Sequence, residues 1–235
     1  MKANFFEHMF SGIPQKNRVA AETYFDEHLS HNDYYTQQET EHGHWIGAGA
    51  EKLGLKPGGI VTRDAFLQLC DNHNPQTGEQ LTPQNFKDRR IFFDFVCSPP
   101  KSVSILAVTM NDRRIVEAHK EASTLAIREL EQFAATRIRK GGIQERDRTT
   151  GNMIGAAFVH TTSRALDPQL HTHFVLFNST WDKRENRWKA LQTGAMFGAI
   201  NYATEVYRNE LAKRLHQIGY VTRKAANGFE IEGVE

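Results

Sequence analysis

Three histidines and one aspartate are the residues of this sequence best spaced for chemistry. His171 and His173 flank Thr172 in a stretch whose composition predicts a strand. Alternation along a strand puts both imidazoles on one face, where they can chelate one divalent metal ion. His160 stands near the end of the preceding predicted strand, with Asp167-Pro168 in the connection. If the two strands are antiparallel neighbours, His160 falls beside the pair. Three neutral imidazoles leave coordination positions open, as a catalytic metal requires. Asp94 sits in the middle of Ile91-Phe92-Phe93-Asp94-Phe95-Val96-Cys97, where an ionised carboxylate is costly without a partner. It could orient a metal-ligand imidazole by accepting the second ring N–H, or accept the proton of a phenol. The competing reading makes the same histidines ordinary core or edge residues with satisfied hydrogen bonds.

A phenol is available. Tyr24, Tyr34 and Tyr35 are half of the six tyrosines and all fall before residue 36. With a pKa near 10, a tyrosine is about 0.1% ionised at pH 7. It becomes a useful nucleophile only where a metal, a base or a cation favours the phenolate. Without such a neighbour, tyrosines on a helix are packing residues.

The elements that must position these groups follow from periodicity. Val19 to Leu29 predicts a helix, ended by the turn and capping residues Ser30 to Asp33. Gly43 to Gly59 is glycine-rich, a short helix is expected near Asp64 to Cys70, and Asp71 to Pro83 is a polar loop. Arg90 to Cys97 is apolar on both faces, as expected of an interior strand, and Ser98-Pro99-Pro100 breaks it. A long amphipathic helix is predicted from Asp112 to Lys140, closed by Gly141-Gly142. Strands follow at Met153 to Thr162 and His171 to Thr180, then a helix from Ala195 to Ile218 and a terminal hairpin, Tyr220 to Arg223 with Gly228 to Ile231. This order predicts an α+β domain, an antiparallel β-sheet with helices packed on one face.

Composition bounds the function. The 235 residues are 39% hydrophobic and 24% charged, as in globular proteins. No apolar run approaches the roughly 20 residues of a membrane span, so no membrane insertion is expected. No signal peptide is visible, and the only cysteines, Cys70 and Cys97, have no partner at metal-binding spacing. A cytoplasmic location is expected. The net charge is only +1. Yet Val19 to Glu51 contains seven acids and no Lys or Arg, which leaves +8 on the rest. That asymmetry points to a polyanion partner for the larger part. The end of the chain just after the predicted hairpin suggests a piece of a longer protein.

Together the motifs resemble the two-tyrosine conjugative relaxases of the MobF class, within the HUH endonuclease superfamily. Four stretches carry the likeness: Tyr24-Phe25 with Tyr34-Tyr35; Trp45 to Leu55; Asp94 to Ser104; and Thr150 to His173 through His160, Ser163-Arg164 and Asp167-Pro168. The resemblance implies a palm-like two-layer fold and strand-specific nicking and rejoining of DNA at a plasmid transfer origin, through a covalent 5′-phosphotyrosine. It makes His160, His171 and His173 the metal ligands, with Mg²⁺ or Mn²⁺ as the divalent ion. Asp94 orients a ligand histidine or assists deprotonation of the tyrosine. Tyr24 matches the first nucleophile, and Tyr34 and Tyr35 both stand for the second. Phe25 departs from the adjacent tyrosines usual at the first position.

Single-stranded DNA of the transfer origin, with an adjacent hairpin, is the implied partner. Accessory transfer proteins and a secretion-system coupling protein are further partners, as is export to a recipient cell with the bound strand, and a helicase region is expected beyond residue 235. Candidate DNA contacts are Lys101 and Arg164 inside the motifs, the cluster Arg137, Arg139, Lys140, Arg146 and Arg148, and Trp188 as a base-stacking surface. A rolling-circle replication initiator shares the chemistry, but the Trp45 stretch argues against it. A DNA-binding module without catalysis is the other alternative. A histidine-metal oxygenase would need a facial-triad carboxylate that is not evident.

Overall fold

The computed structural model of the chain describes residues 10–15, 18–26, 43–83, 89–163, 167–226 and 228–234. Its first elements are β1 (Phe10–Gln15), α1 (Arg18–Tyr24), β2 (His44–Ile46), α2 (Ala48–Lys52), α3 (Arg63–Cys70) and β3 (Phe92–Cys97). Next come α4 (Lys101–Thr109), α5 (Arg113–Glu131) and four two-residue strands, β4 (Ala135–Thr136), β5 (Arg139–Lys140), β6 (Ile143–Gln144) and β7 (Arg148–Thr149). The long strands β8 (Gly155–Thr162) and β9 (Pro168–Phe177) lead to β10 (Thr180–Asp182), β11 (Arg187–Lys189) and β12 (Leu191–Gln192). Helices α6 (Gly194–Gly198) and α7 (Ile200–Gln217) precede the hairpin β13 (Thr222–Ala225) and β14 (Gly228–Ile231).

Five strands form the main sheet in the order β1-β3-β9-β8-β2, each pair antiparallel. Its interior strands are apolar on both sides because both sides are covered. Phe93, Phe95, Phe174 and Leu176 join a core with α4, α5 and α7. Phe92, Phe158, Val175 and Phe177 join a second core with Ala21 and Phe25 next to α1 and α3 residues such as Phe66 and Leu69. The long helices thus share one face, as expected of an α+β domain. The short α1 and α3 cover part of the other face, and the candidate site lies beside them.

Local chemistry explains the helices. On α5, Ile115, Ala118, His119, Ala122, Ala126, Ile127 and Leu130 are buried, a helical stripe facing the sheet. Asp112 caps its start by accepting from the Arg114 backbone N–H at 3.0 Å. The sequence predicts this helix to continue to Lys140, but it stops at Glu131. There the Glu131 carboxylate accepts from the backbone N–H groups of Ala48 and Met153, each at 2.9 Å. The chain beyond it pairs as β4 with β7 and β12. Tertiary hydrogen bonds outcompete helix propensity at this point. Several elements have no counterpart in the sequence reading, among them the short β2, α2 and β4 to β7; two others bear on the sheet. One is β1, which pairs with β3. The other is α4, which starts directly after Pro99-Pro100: a proline suits a helix start because no N–H is needed there. The first turn of α4 is closed from outside, with Ser102 N–H donating to Glu230 of β14 at 3.0 Å.

The glycine-rich stretch after β2 is a close backbone packing. Gly49 N–H donates to Met153 O at 2.9 Å. Gly47 has φ +90°, and a Cβ there would lie 2.3 Å from Met153 O. Gly47→Ala is therefore expected to lower unfolding free energy by more than about 1 kcal/mol, measurable by urea denaturation. An unchanged midpoint would show that the loop relaxes freely.

Candidate functional site

Alternation along β9 sends His171 and His173 to the same face as Val175 and Phe177, the face that carries α1 and α3. In the antiparallel ladder, His160 of β8 lies opposite His171, and Phe158 lies opposite His173. The register shifts just after His160, between it and Thr162, a bulge of the kind that re-aims side chains beside functional sites. The three rings gather as predicted. Their centres are 5.3 Å apart for His160 and His171, 5.5 Å for His160 and His173, and 5.1 Å for His171 and His173.

Two of the rings are oriented from behind. His173 Nδ1 lies 3.0 and 2.9 Å from the two oxygens of Asp94 on β3, and Asp94 is 7% exposed. His171 Nδ1 lies 2.8 Å from the backbone oxygen of Gln169. These oxygens accept, so Nδ1 carries the hydrogen in each neutral ring and Nε2 carries the lone pair. This donor set suits a metal ion. With metal–nitrogen bonds of about 2.0–2.1 Å, three imidazoles around one ion hold their ring centres roughly 5 Å apart. Among the described residues, however, no trio of donors already converges on one point. His160 and His171 lie nearly face to face, with 30° between their planes, so metal binding would turn at least one ring.

The helix bearing Tyr24 docks next to these rings. Its anchor is Phe25, 6% exposed, whose ring centre is 4.7 Å from that of Phe66 and 6.0 Å from that of Phe158. Phe158 is the cross-strand partner of His173. The departure from a tyrosine pair at this place thus fills an apolar slot. Tyr24 closes α1, but its side chain is outside the described part, and Tyr34, Tyr35 and Arg164 lie outside the described residues altogether.

Among the expected DNA contacts, Arg139 and Lys140 form one strand of an exposed two-stranded ribbon, β5–β6, with Ile143 74% exposed beside its Gly141-Gly142 turn. Lys140 lies 3.6 Å from Glu145, both being well exposed. Arg146 is exposed, and Arg137 is exposed and reaches Gln192 at 3.4 Å. Lys101 donates to Pro168 O at 3.1 Å, at the start of β9. Two other residues are engaged within the fold. Arg148 pairs with the buried Asp182 at 2.7 Å. Trp188 packs edge-on against Trp181, with ring centres 5.4 Å apart. The neighbouring cations Arg187 and Lys189 pair with Glu185 at 2.5 and 2.7 Å.

The TrwC relaxase family model matches residues 18–235. The chain belongs to the TrwC relaxase family. It is 35% identical over 213 residues to the "Multifunctional conjugation protein TraI" of Escherichia coli K12, a match that covers 87% of this chain and 12% of TraI. The chain therefore spans about an eighth of that curated relative's length. Among solved structures, it is similar to conjugative relaxase TrwC in complex with oriT DNA in a copper-bound form (TM-score 0.84, 32% identity, 96% of this chain and 76% of that one). It is also similar to TrwC bound to a 27-mer containing the recognition hairpin and the cleavage site (TM-score 0.80, 31% identity, 96% and 75%). No helix among the described residues is long and apolar enough to cross a membrane.

The acidic segment of this relaxase-family chain is partly neutralised. Arg63 of α3 donates to Glu22 at 2.9 Å and to both oxygens of Asp26 at 2.8 Å. The hydrogen bond from Arg63 holds the Asp26 carboxyl below its usual range. The same contacts tie α1 to α3.

Sequence reasoning missed several buried titratable groups, Glu131 and His119 among them. Burial pushes the Glu131 carboxyl up, against the two backbone N–H groups that hold its charged form. Burial lowers His119 on α5 from 6.5 to about 3. The available signal was a polar residue within the apolar stripe of an amphipathic helix. A cavity of about 770 Å³ lined by His44, Trp45, Lys120, Arg128 and Glu131 lies on the α5 side of the sheet, away from the histidine face.

His119 carries a testable linkage. Its folded-state pKa is depressed, so the unfolded chain binds the extra proton between pH 6.5 and about 3. Stability is expected to be intact above pH 6.5 and to fall on acidification through that window, by up to about 1.4 kcal/mol per pH unit. Urea unfolding at a series of pH values measures the slope. A His119→Gln variant should be flatter there, and an identical slope would remove His119 as its source.

Proposed function

We propose that this chain nicks and rejoins single-stranded DNA at a plasmid transfer origin by tyrosine transesterification with a divalent metal ion. The observation that carries this reading is the grouping of His160, His171 and His173 on one sheet face, with Asp94 fixing the His173 ring and α1 docked alongside. Family membership supports it, because the similar TrwC structures contain oriT DNA and, in one form, copper.

His160, His171 and His173 would hold the ion. When bound, it would polarise the scissile phosphate and offset the charge that develops on its non-bridging oxygens. The chain's own groups do the rest. Asp94 engages Nδ1 of His173 through both oxygens, which favours ring orientation over the phenol-base role. A tyrosine oxygen, from Tyr24 first and from Tyr34 or Tyr35 in a second cycle, attacks phosphorus in line. The new phosphorus–oxygen bond replaces the bond to the 3′-oxygen. The phenol loses its proton, and the departing 3′-oxygen gains one. A 5′-phosphotyrosine and a free 3′-hydroxyl result, and conservation of the ester count lets the step run backwards.

In this reading the exposed β5–β6 ribbon carrying Arg139 and Lys140, together with Arg137, Arg146, Lys101 and Arg164, faces the nucleic acid, including the hairpin beside the nick. A two-stranded ribbon is of a size to enter a major groove. Arg148 and Trp188, the remaining proposed contacts, also hold the β10–β11 hairpin through Asp182 and Trp181. The same proposal places the chain in the cytoplasm as the nicking unit of a longer conjugation protein with a helicase region. It would act with accessory transfer proteins and a secretion-system coupling protein and would use Mg²⁺ or Mn²⁺ in cells.

Incubation with an oligonucleotide spanning the cognate origin, with Mg²⁺ or Mn²⁺, should give a protein–DNA adduct that survives a denaturing gel. Peptide mass spectrometry should map it to Tyr24, Tyr34 or Tyr35. Tight binding of the cognate origin with no adduct would establish a binding module instead. Specific nicking of a replication origin rather than a transfer origin would make the chain an initiator. His171→Ala should abolish both metal binding and nicking while leaving the thermal unfolding midpoint within a few degrees. Retention of both activities would remove His171 from the site.

A further inference from the structure

Directly behind the histidine face lies a buried chain of polar side chains. His119, fully buried in the middle of α5, contacts Tyr207 Oη of α7 through Nδ1 at 2.7 Å and Thr172 Oγ1 of β9 through Nε2 at 2.8 Å. Tyr207, also fully buried, hydrogen-bonds Cys97 of β3. Cys97 is the cross-strand partner of Thr172. The chain therefore joins α5, α7 and β3 at one position of β9, the residue between His171 and His173.

A neutral imidazole has one N–H and one lone pair, and every contact can be satisfied in either direction. Tyr207 can donate to Nδ1 while Nε2–H donates to Thr172. Alternatively, Thr172 donates to Nε2, Nδ1–H donates to Tyr207, and Tyr207 donates to the Cys97 sulfur. For stability alone, apolar side chains of the same shape would serve about as well. Hydrogen bonds add direction: they fix the height and rotation of Thr172 where apolar contacts would let it slide. The ladder needs that help here, because the β8–β9 register shifts between His160 and Thr162. A rotation of the strand at Thr172 would swing the imidazoles on either side of it, since both hang from its opposite face. Asp94 and Gln169 O set how the two rings turn; the chain behind sets where the backbone that bears them stands.

We propose that His119, Tyr207 and Thr172 are positioning residues that lock β9 in twist and register, so that His171 and His173 present their Nε2 atoms at a fixed spacing for a metal ion. The inference rests on the metal reading of those histidines.

The test uses the full chain with Co²⁺ as probe and two readouts: titration of the visible Co²⁺ bands, and imidazole nitrogen–proton NMR spectra of the metal-free protein. His171→Ala serves as the ligand control. Thr172→Val removes one hydroxyl at nearly constant shape, and Tyr207→Phe does the same on α7. Both should weaken Co²⁺ binding about tenfold, alter its bands and shift the His171 and His173 ring signals. Thr172→Ser, which keeps the hydroxyl, and His119→Gln, which keeps a donor and an acceptor, should stay near wild type. If Tyr207→Phe does not fold, the Val and Ser variants at position 172 make the comparison by themselves. Variants that lose thermal stability but keep wild-type Co²⁺ affinity, bands and ring signals would overturn the inference and leave only a packing role. A wild-type chain that binds Co²⁺ no better than His171→Ala would overturn the metal reading itself, and the inference with it.

Discussion

The two-residue alternation of β9 is the constraint on which the arrangement depends. Odd positions 171 and 173 carry imidazoles toward the face with α1, whereas even positions 170, 172, 174 and 176 carry Leu, Thr, Phe and Leu toward α4, α5 and α7. A slip of one residue would bury both histidines among the long helices and turn Phe174 and Leu176 toward the α1 face, so the register is held by the cores on both sides. The antiparallel neighbours then add what β9 lacks. β8 brings His160 opposite His171, and β3 brings Asp94 within hydrogen-bonding distance of His173.

Three buried polar groups in and against this sheet are tied to a geometric task. Asp94 sits between phenylalanines yet has an imidazole N–H beside it, so its oxygens are not left without a donor. Glu131 ends α5 and reaches across to the backbone of Ala48 and Met153, which brings the glycine-rich segment against the edge of the sheet. His119 spans the space between two helices and β9. Losing one partner of such a group costs more than the hydrogen bond contributes, because the other is left desolvated. That asymmetry makes these contacts sharp markers of register.

Charge is likewise sorted by tertiary structure. The acids Glu22 and Asp26, at and just after α1, meet Arg63. Some basic residues that seem well placed are already used: Arg148 and Lys189 face Asp182 and Glu185. Among the described residues, Arg137, Arg139, Lys140 and Arg146 stay in solvent.

The sequence by itself determined the sheet's interior strands, the sharing of one face by His171 and His173, the amphipathic start of α5 and the family, because these are written in local periodicity and in contiguous motifs. His160 and Asp94 were legible as candidates from their place within apolar strands. Tertiary structure decided what depends on partners distant in sequence. It brought Asp94 against His173, through the β3–β9 register. It ended α5 at Glu131, because distant backbone donors claim that carboxylate. It placed Phe25 in an aromatic slot and engaged Arg148 and Trp188 in packing. No local pattern encodes such contacts: a side chain's partner across a sheet is set by strand order and register, and these are fixed only when the whole core closes.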